Sequence, residues 1–191
     1  MPPKVRITRT MIIEAAFAII RKQGADALNA RAIAQELGCS TQPVLYQFAT
    51  VEDVRRATYA YADHFHTQYV MQGLEESAMP LLALGQNYIR FAAQEQYLFR
   101  FLFQSSELGS NNLLSLMDDP NLTPMLSLFQ QAIGFSPAAT KRIFTQLFLV
   151  VHGYASLLAN NPIPYNQEEV FHLLDSAFNG ACAAENLPKE D

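Results

Sequence analysis

A chain of 191 residues, half of them hydrophobic and 11% aromatic, carries enough apolar material for a substantial core. No run of about 18 uninterrupted apolar residues is available to cross a bilayer, so a soluble protein is expected. Cys39 and Cys182 are too few and too far apart for a disulfide scaffold or a zinc cluster, which leaves two reduced thiols in a cytoplasmic protein.

The basic start, Met1 to Thr8, runs into an amphipathic segment and not into a plain apolar stretch with a cleavage site, so no export is expected. The net charge of −5 conceals an uneven distribution. Up to residue 56 there are eight basic and five acidic side chains, a net +3, while the remainder has five against thirteen, a net −8. A small basic head on an acidic body suits phosphate contact at one end only.

Apolar residues recur at helical spacing throughout, with no two-residue alternation between hairpin turns, so the fold class read here is all-α. The first helix is predicted over 9–23, with Ile12, Ile13, Ala16, Phe17, Ile19 and Ile20 on one face and Gly24 ending it in a left-handed conformation. A second helix starts after Asn29, a good N-cap, and breaks at Gly38. A short third helix follows, capped by Ser40, with Pro43 tolerated in its first turn. A longer helix over 51–72 connects head to body, with Val54, Ala57, Tyr61, Phe65 and Tyr69 spaced to bury one side. Further helices are expected at 79–94, 97–104, 123–133, 137–159 and 167–184. Turns rich in Ser, Asn, Asp, Gly and Pro fall at 105–112, 117–124 and 160–166.

The stretch from Leu28 to Phe48 carries the chemistry. Ala34 is small enough for close helix approach, Gly38 accommodates a turn, and Val44 with Phe48 turns the apolar side of the third helix inward. Thr41, Gln42, Tyr46 and Gln47 then face out. A short helix with exposed hydrogen-bonding groups at its N-terminal end is what a major-groove reader requires.

From Ile12 to Val54, without a gap, the sequence resembles the tetracycline-repressor (TetR) family. Ile12 to Gly24 looks like that family's first helix, with its paired alanines and terminal glycine. Leu28 to Ala34 is similar to the second, and Gly38 to Phe48 resembles the turn and recognition helix. The resemblance implies a three-helix DNA-binding domain over 1–50 and a larger helical ligand-binding and dimerisation domain over 51–191. It also implies that Ser40 belongs to the DNA-binding surface and that Thr41, Gln42 and Pro43 lie nearest the base edges, Gln42 pairing with adenine and Pro43 making apolar contact. Tyr46 and Gln47 are candidates for phosphates, Arg31 for a guanine or a phosphate, and Lys4 and Arg6 for an arm along the minor groove. Two positions depart from the family pattern: Leu45 stands where Tyr is usual and Val51 where Lys is usual, which shifts phosphate contact toward Arg6, Arg31 and Arg55.

The body is acidic and rich in aromatics: Tyr88, Phe91, Tyr97, Phe99, Phe101, Phe103 and Phe129, with Met117 and Met125 as adaptable fillers. An apolar effector pocket is expected there, with Phe65, Tyr69, Phe91, Phe103 and Phe129 as its wall and His152 as its polar contact. A backbone or side-chain oxygen is the competing partner for His152. His64 and His66, two apart on a helix, point to different sides and make no metal pair; His172 falls to a surface or interface.

No catalytic triad, glycine-rich phosphate loop or metal-ligand cluster is found, so no enzyme, cofactor or metal is expected. The expected protein is a regulator, a repressor on family grounds, binding a palindromic DNA operator as a homodimer and responding to a small apolar or aromatic effector. The dimer interface implied by the family lies on the last two helices, with Ile143, Leu147, Val150, Val151, Tyr154 and Leu158 facing Val170, Phe171, Leu174, Ala177, Phe178 and Ala181 across the axis. A helical carrier of apolar molecules is the alternative, and binding to duplex DNA separates the two.

Overall fold

The computed structural model describes residues 6–104 and 123–186, and every regular element among them is helical. In chain order these are α1 (Arg9–Gln23), a 3-10 turn (Ala25–Ala27), α2 (Ala30–Glu36), α3 (Thr41–Gln47), α4 (Val51–Met71), α5 (Pro80–Gln94), α6 (Gln96–Phe103), α7 (Thr123–Ile133), α8 (Pro137–Asn160) and α9 (Gln167–Asn186). Lys4, Met117 and nearly all of the turns expected at 105–112 and 117–124 lie outside the described residues. The chain forms two compact units. One runs to Gln68 and includes the segment from Glu95 that carries α6; the other holds Tyr69–Gln94 and the chain from Thr123 onward.

In the first unit, local caps set the helix boundaries. The Thr8 hydroxyl accepts from the Met11 amide at 3.2 Å to start α1, which buries Ile12, Ala15, Ala16, Ile19 and Ile20. Gly24 ends it, its amide donating to the Ile20 carbonyl at 2.8 Å. Its φ of 90° is positive as expected, but ψ is 166°, an extended mirror conformation open essentially to glycine alone and not the left-handed helical cap. An added Cβ there would stand 3.0 Å from the Tyr97 ring.

The Asn29 Oδ1 accepts from the amides of Arg31 and Ala32 at 3.1 and 2.9 Å, satisfying two donors at the start of α2. Asn29→Ala should therefore lower stability by about 1 kcal/mol, read as an earlier urea midpoint; an unchanged midpoint would show that water replaces the cap at no cost. Ser40 occupies the corresponding position before α3, yet its hydroxyl makes no capping bond.

Thr50 and Asp53 cap α4 reciprocally. The Thr50 hydroxyl accepts from the Asp53 amide at 3.0 Å, and Asp53 Oδ2 accepts from the Thr50 amide at 3.1 Å. Hydrogen bonds from the Thr50 side chain, then from Arg56, hold the Asp53 carboxyl below its usual pKa. The buried face of α4 is Val54, Thr58, Ala62, His66 and Val70, one position on from the expected stripe of Ala57, Tyr61, Phe65 and Tyr69. Opposite lies α6, whose Leu98, Phe99, Phe101 and Leu102 are buried at the centre of this unit. The Tyr59 hydroxyl donates to the Leu102 carbonyl at 3.0 Å, and Arg21 grips the Glu95 carboxylate with two N–H groups.

The second unit packs α5, α7, α8 and α9 around Ile89, Phe91, Phe129, Ile143, Leu158, Val170 and Leu174. Gly85 permits close approach on α5, since a Cβ there would lie 3.0 Å from Leu174 Cδ1. The Asn87 amide donates to the carbonyls of Val70 and Gln72 at 3.0 and 2.9 Å, closing the end of α4. Ile143, Val151, Leu158, Val170, Leu174 and Ala181, expected on an inter-subunit surface, are instead buried within the chain's own core. Among the described residues α8 alone is long and apolar enough to cross a membrane, with a mean hydropathy of 1.3, but its run is interrupted by Lys141, Arg142, Gln146 and His152. Only 28% of that apolar window is buried within the chain.

Candidate nucleic-acid interface and body cavity

The helix pair α2–α3 is closed from inside. Ile33, Ala34, Val44 and Phe48 are buried, and the turn between the helices is held by the Cys39 amide donating to the Ala34 carbonyl at 2.9 Å, with Gly38 at φ 61°. What remains on the outside of α3 is its polar and aromatic face. Gln42 is exposed, Thr41 and Pro43 are half-buried, and Tyr46 stands 85% exposed with Leu45 beside it at 52%. Ser40, Arg31 and Arg6 are exposed.

Gln47 is differently placed. Its amide donates to the Ile7 carbonyl at 3.2 Å, and its own carbonyl accepts from Arg9 Nη1 at 2.5 Å. The Arg9 guanidinium also lies over the Phe48 ring, 3.9 Å from its centroid. The Gln47 side chain thus ties the end of α3 to the segment before α1. Arg9, which the sequence did not single out, completes that tie. No local pattern pairs residue 9 with residues 47 and 48.

Several cations of the basic head are held by partners. Arg55 donates to the Ala25 carbonyl at 3.2 Å and lies 3.6 Å from Glu52, so it braces the connection after α1 and is not poised toward a phosphate. Arg56 pairs with Asp53, and Arg21 with Glu95, whose hydrogen bond raises the arginine's pKa. Among the described residues Arg6, Lys22 and Arg31 are exposed cations of this unit outside these pairs, and of the three Arg31 lies on the helix-turn-helix itself.

The six candidate ligand residues are divided between the two units. Phe65 and Phe103 belong to the first unit: Phe65 meets Phe17 edge-on at 5.2 Å, and Phe103 lies 5.0 Å from both His66 and Phe99. Tyr69 and Phe91 pack on each other at 5.3 Å, the Tyr69 hydroxyl donating to Gln94 Oε1 at 2.7 Å. His152 Nδ1 is hydrogen-bonded to the Tyr88 hydroxyl at 2.9 Å, its ring stacked on Phe148, and burial lowers its pKa. That leaves Phe129. It lines a cavity of about 610 Å³ in the second unit, together with Met71 at the end of α4, the start of α5, Met125 and Ile133 of α7, Leu147 and Val151 of α8, and Leu174 and Phe178 of α9. Half of its lining residues are leucine or methionine, which no aromatic count could reveal.

Among the described residues no three His, Cys, Asp or Glu side chains converge as metal ligands. Cys39 and Cys182 are free thiols, and burial pushes that of Cys182 up in pKa.

Two solved structures share this fold over nearly their whole length. Multidrug binding protein EbrR, complexed with ethidium, is 20% identical, with a TM-score of 0.53 over 93% of this chain and 99% of that one. A Mesorhizobium loti protein assigned to the TetR family of transcriptional regulators is 18% identical, with a TM-score of 0.58 over 92% and 95%. No curated protein matches the sequence. Residues 81–178 match the family model described as the tetracyclin repressor-like C-terminal domain, just over half of the chain. Taken with the helix-turn-helix that precedes it, this match makes the chain a member of the tetracycline-repressor (TetR) family of transcriptional regulators.

Proposed function

We propose that this chain is a cytoplasmic repressor that binds a palindromic operator as a homodimer and changes its operator affinity, by release or by tighter binding, when a small apolar or aromatic effector binds. The observation that carries the reading is the outer face of α3. Thr41, Gln42, Pro43 and Tyr46 stand on a helix whose inner face is closed by Val44 and Phe48, so side chains with hydrogen-bonding and stacking capacity are held rigidly outward. Arg31 and Arg6 supply exposed positive charge from the same unit, and Lys4 extends it on sequence grounds.

Support for a dimer comes from the exposed apolar surface of α8. Support for an effector comes from the cavity, and the fold shared with EbrR, a multidrug binding protein, is in keeping with it. Met71, on the cavity wall, is the last residue of α4, whose first turns belong to the DNA-binding unit. A dimer must hold its two recognition helices about 34–36 Å apart, so a small tilt of α4 would spoil the match to successive grooves. The same cavity would serve a carrier of apolar molecules, which the following test excludes or establishes.

Duplexes selected from a random library should share a palindrome, and binding should weaken steeply with salt. Replacing Gln42 and Tyr46 together with Ala should cost about tenfold or more on the selected site and little on unrelated DNA, while Arg31→Ala should weaken all duplexes alike if it holds a phosphate. Failure to enrich any sequence, or unchanged affinity in the Gln42/Tyr46 variant, overturns this assignment of the recognition helix.

A further inference from the structure

The walls of the second-unit cavity are aliphatic, methionine and phenylalanine side chains, with two exceptions. Glu75, from the connection between α4 and α5, and Asp175, on α9, are the polar side chains among the described residues that line it; no Lys, Arg, His or neutral hydrogen-bonding side chain stands on that wall. We infer that the cavity takes a lipophilic organic cation, a molecule whose hydrocarbon bulk fills the apolar walls and whose positive charge is met by the Glu75 and Asp175 carboxylates. This rests on the cavity being the effector site and names the charge that the effector carries.

The lining discriminates by what it lacks. An anion would be brought beside two carboxylates and would find no side-chain donor. A neutral polar molecule would meet acceptors alone. A cation gains from both carboxylates without needing any further polar partner. Asp175 Oδ2 accepts from the Asn179 amide at 3.2 Å, which orients that carboxylate on α9 and leaves its charge in place. Phe129 and Phe178, edge to face with centroids 6.5 Å apart, add aromatic surface whose electron-rich faces favour positive charge. Met71, Met79 and Met125 are unbranched and polarisable, so the wall can refit around different hydrocarbon shapes. The volume of about 610 Å³ is that of a drug-sized ligand, and the net −8 of the chain beyond residue 56 draws cations toward this part of the protein.

The full-length protein can be tested with two ions of one shape and opposite charge, tetraphenylphosphonium and tetraphenylborate, each displacing the neutral fluorescent probe N-phenyl-1-naphthylamine. Loss of probe binding in Ala132→Trp, which fills the cavity, assigns the probe to it. The phosphonium ion is expected to displace the probe at roughly tenfold lower concentration than the borate, or better, since solvent at the carboxylates trims the full Coulomb difference. Glu75→Gln with Asp175→Asn should abolish that preference while the neutral probe still binds. Equal displacement by both ions, preference for the borate, or a preference that survives in the double variant overturns the inference while the cavity reading stands. If neither the probe nor either ion enters, the cavity reading falls and takes the inference with it.

Discussion

Gly153→Leu is expected to leave the chain folded and helical but monomeric, and to weaken operator binding by at least about a hundredfold, because two half-sites would no longer be engaged together. Gly153 lies in the middle of α8, where glycine costs about 1 kcal/mol relative to alanine. Nothing among the described residues explains that cost, since a Cβ at this position meets none of their atoms within 4 Å. One turn to either side stand Leu149 and Leu157, 46% and 53% exposed, so the glycine is the low point of an uncovered apolar stripe. On α9, Gly180 is equally open, and its exposed neighbours Ser176, Asn179 and Ala183 are small or short. Faces of this kind let a second pair of helices approach to the 8–10 Å separation of close packing, and a leucine at the contact would hold them apart. The control is Gly153→Ala, which in an isolated chain should be neutral or stabilising. Light scattering at micromolar concentration reads the result; a dimer of Gly153→Leu as tight as the parent would move the interface elsewhere.

The face proposed for dimerisation is hard to pick out of the sequence because the most hydrophobic residues of α8 are not on it. Ile143, Val151 and Leu158 fill the chain's own core, and sequence alone gives no means of dividing the apolar positions of a helix buried on two sides between its two faces. A related ambiguity rotated α4 by one position. Thr58 and His66 are polar by type and are inside, Thr58 because its hydroxyl donates to the Val54 carbonyl at 2.8 Å, while Tyr61, apolar over most of its surface, is 40% exposed. Where the determinants are local the sequence was sufficient. The limits of α1 follow from its own caps, and the Asn29 cap and the turn at Gly38 are equally local.

The two sites differed in the same way. The outer face of α3 is seven consecutive residues and could be read from their spacing, apart from Gln47, whose tie to Ile7 spans 40 positions. The cavity is assembled from five separate segments, and its largest contributors are ordinary leucines and methionines. Aromatic richness pointed instead to the core of the first unit, where Phe99, Phe101 and Phe103 of α6 are packed. Only Phe129 and Met125 were signalled by residue type.

Stability of the first unit should fall as pH drops from about 6.5 toward 4, with His66 a principal cause. Its ring is buried on α4, 5.0 Å from the Phe103 ring and edge-on to it, and burial pushes its pKa down to about 4 from the ordinary 6.5. Burial penalises the charged form, so the folded chain keeps this imidazole neutral through a range in which the unfolded chain takes up a proton. The stabilisation is therefore complete above about pH 6.5 and is lost progressively down to the folded-state value near 4, by about 3 kcal/mol in full. His66→Phe retains an aromatic ring against Phe103 and removes the titration. Its urea midpoint, followed by helical circular dichroism, should change less between pH 7 and 4.5 than that of the parent. Carboxylates such as Asp53, and His152 in the second unit, titrate in both proteins and cancel in the comparison. Operator binding should share the acid sensitivity, since α4 and α6 hold the unit that carries α3. Parallel pH profiles for the parent and His66→Phe would show that the ring is hydrated or partnered well enough to ionise in place.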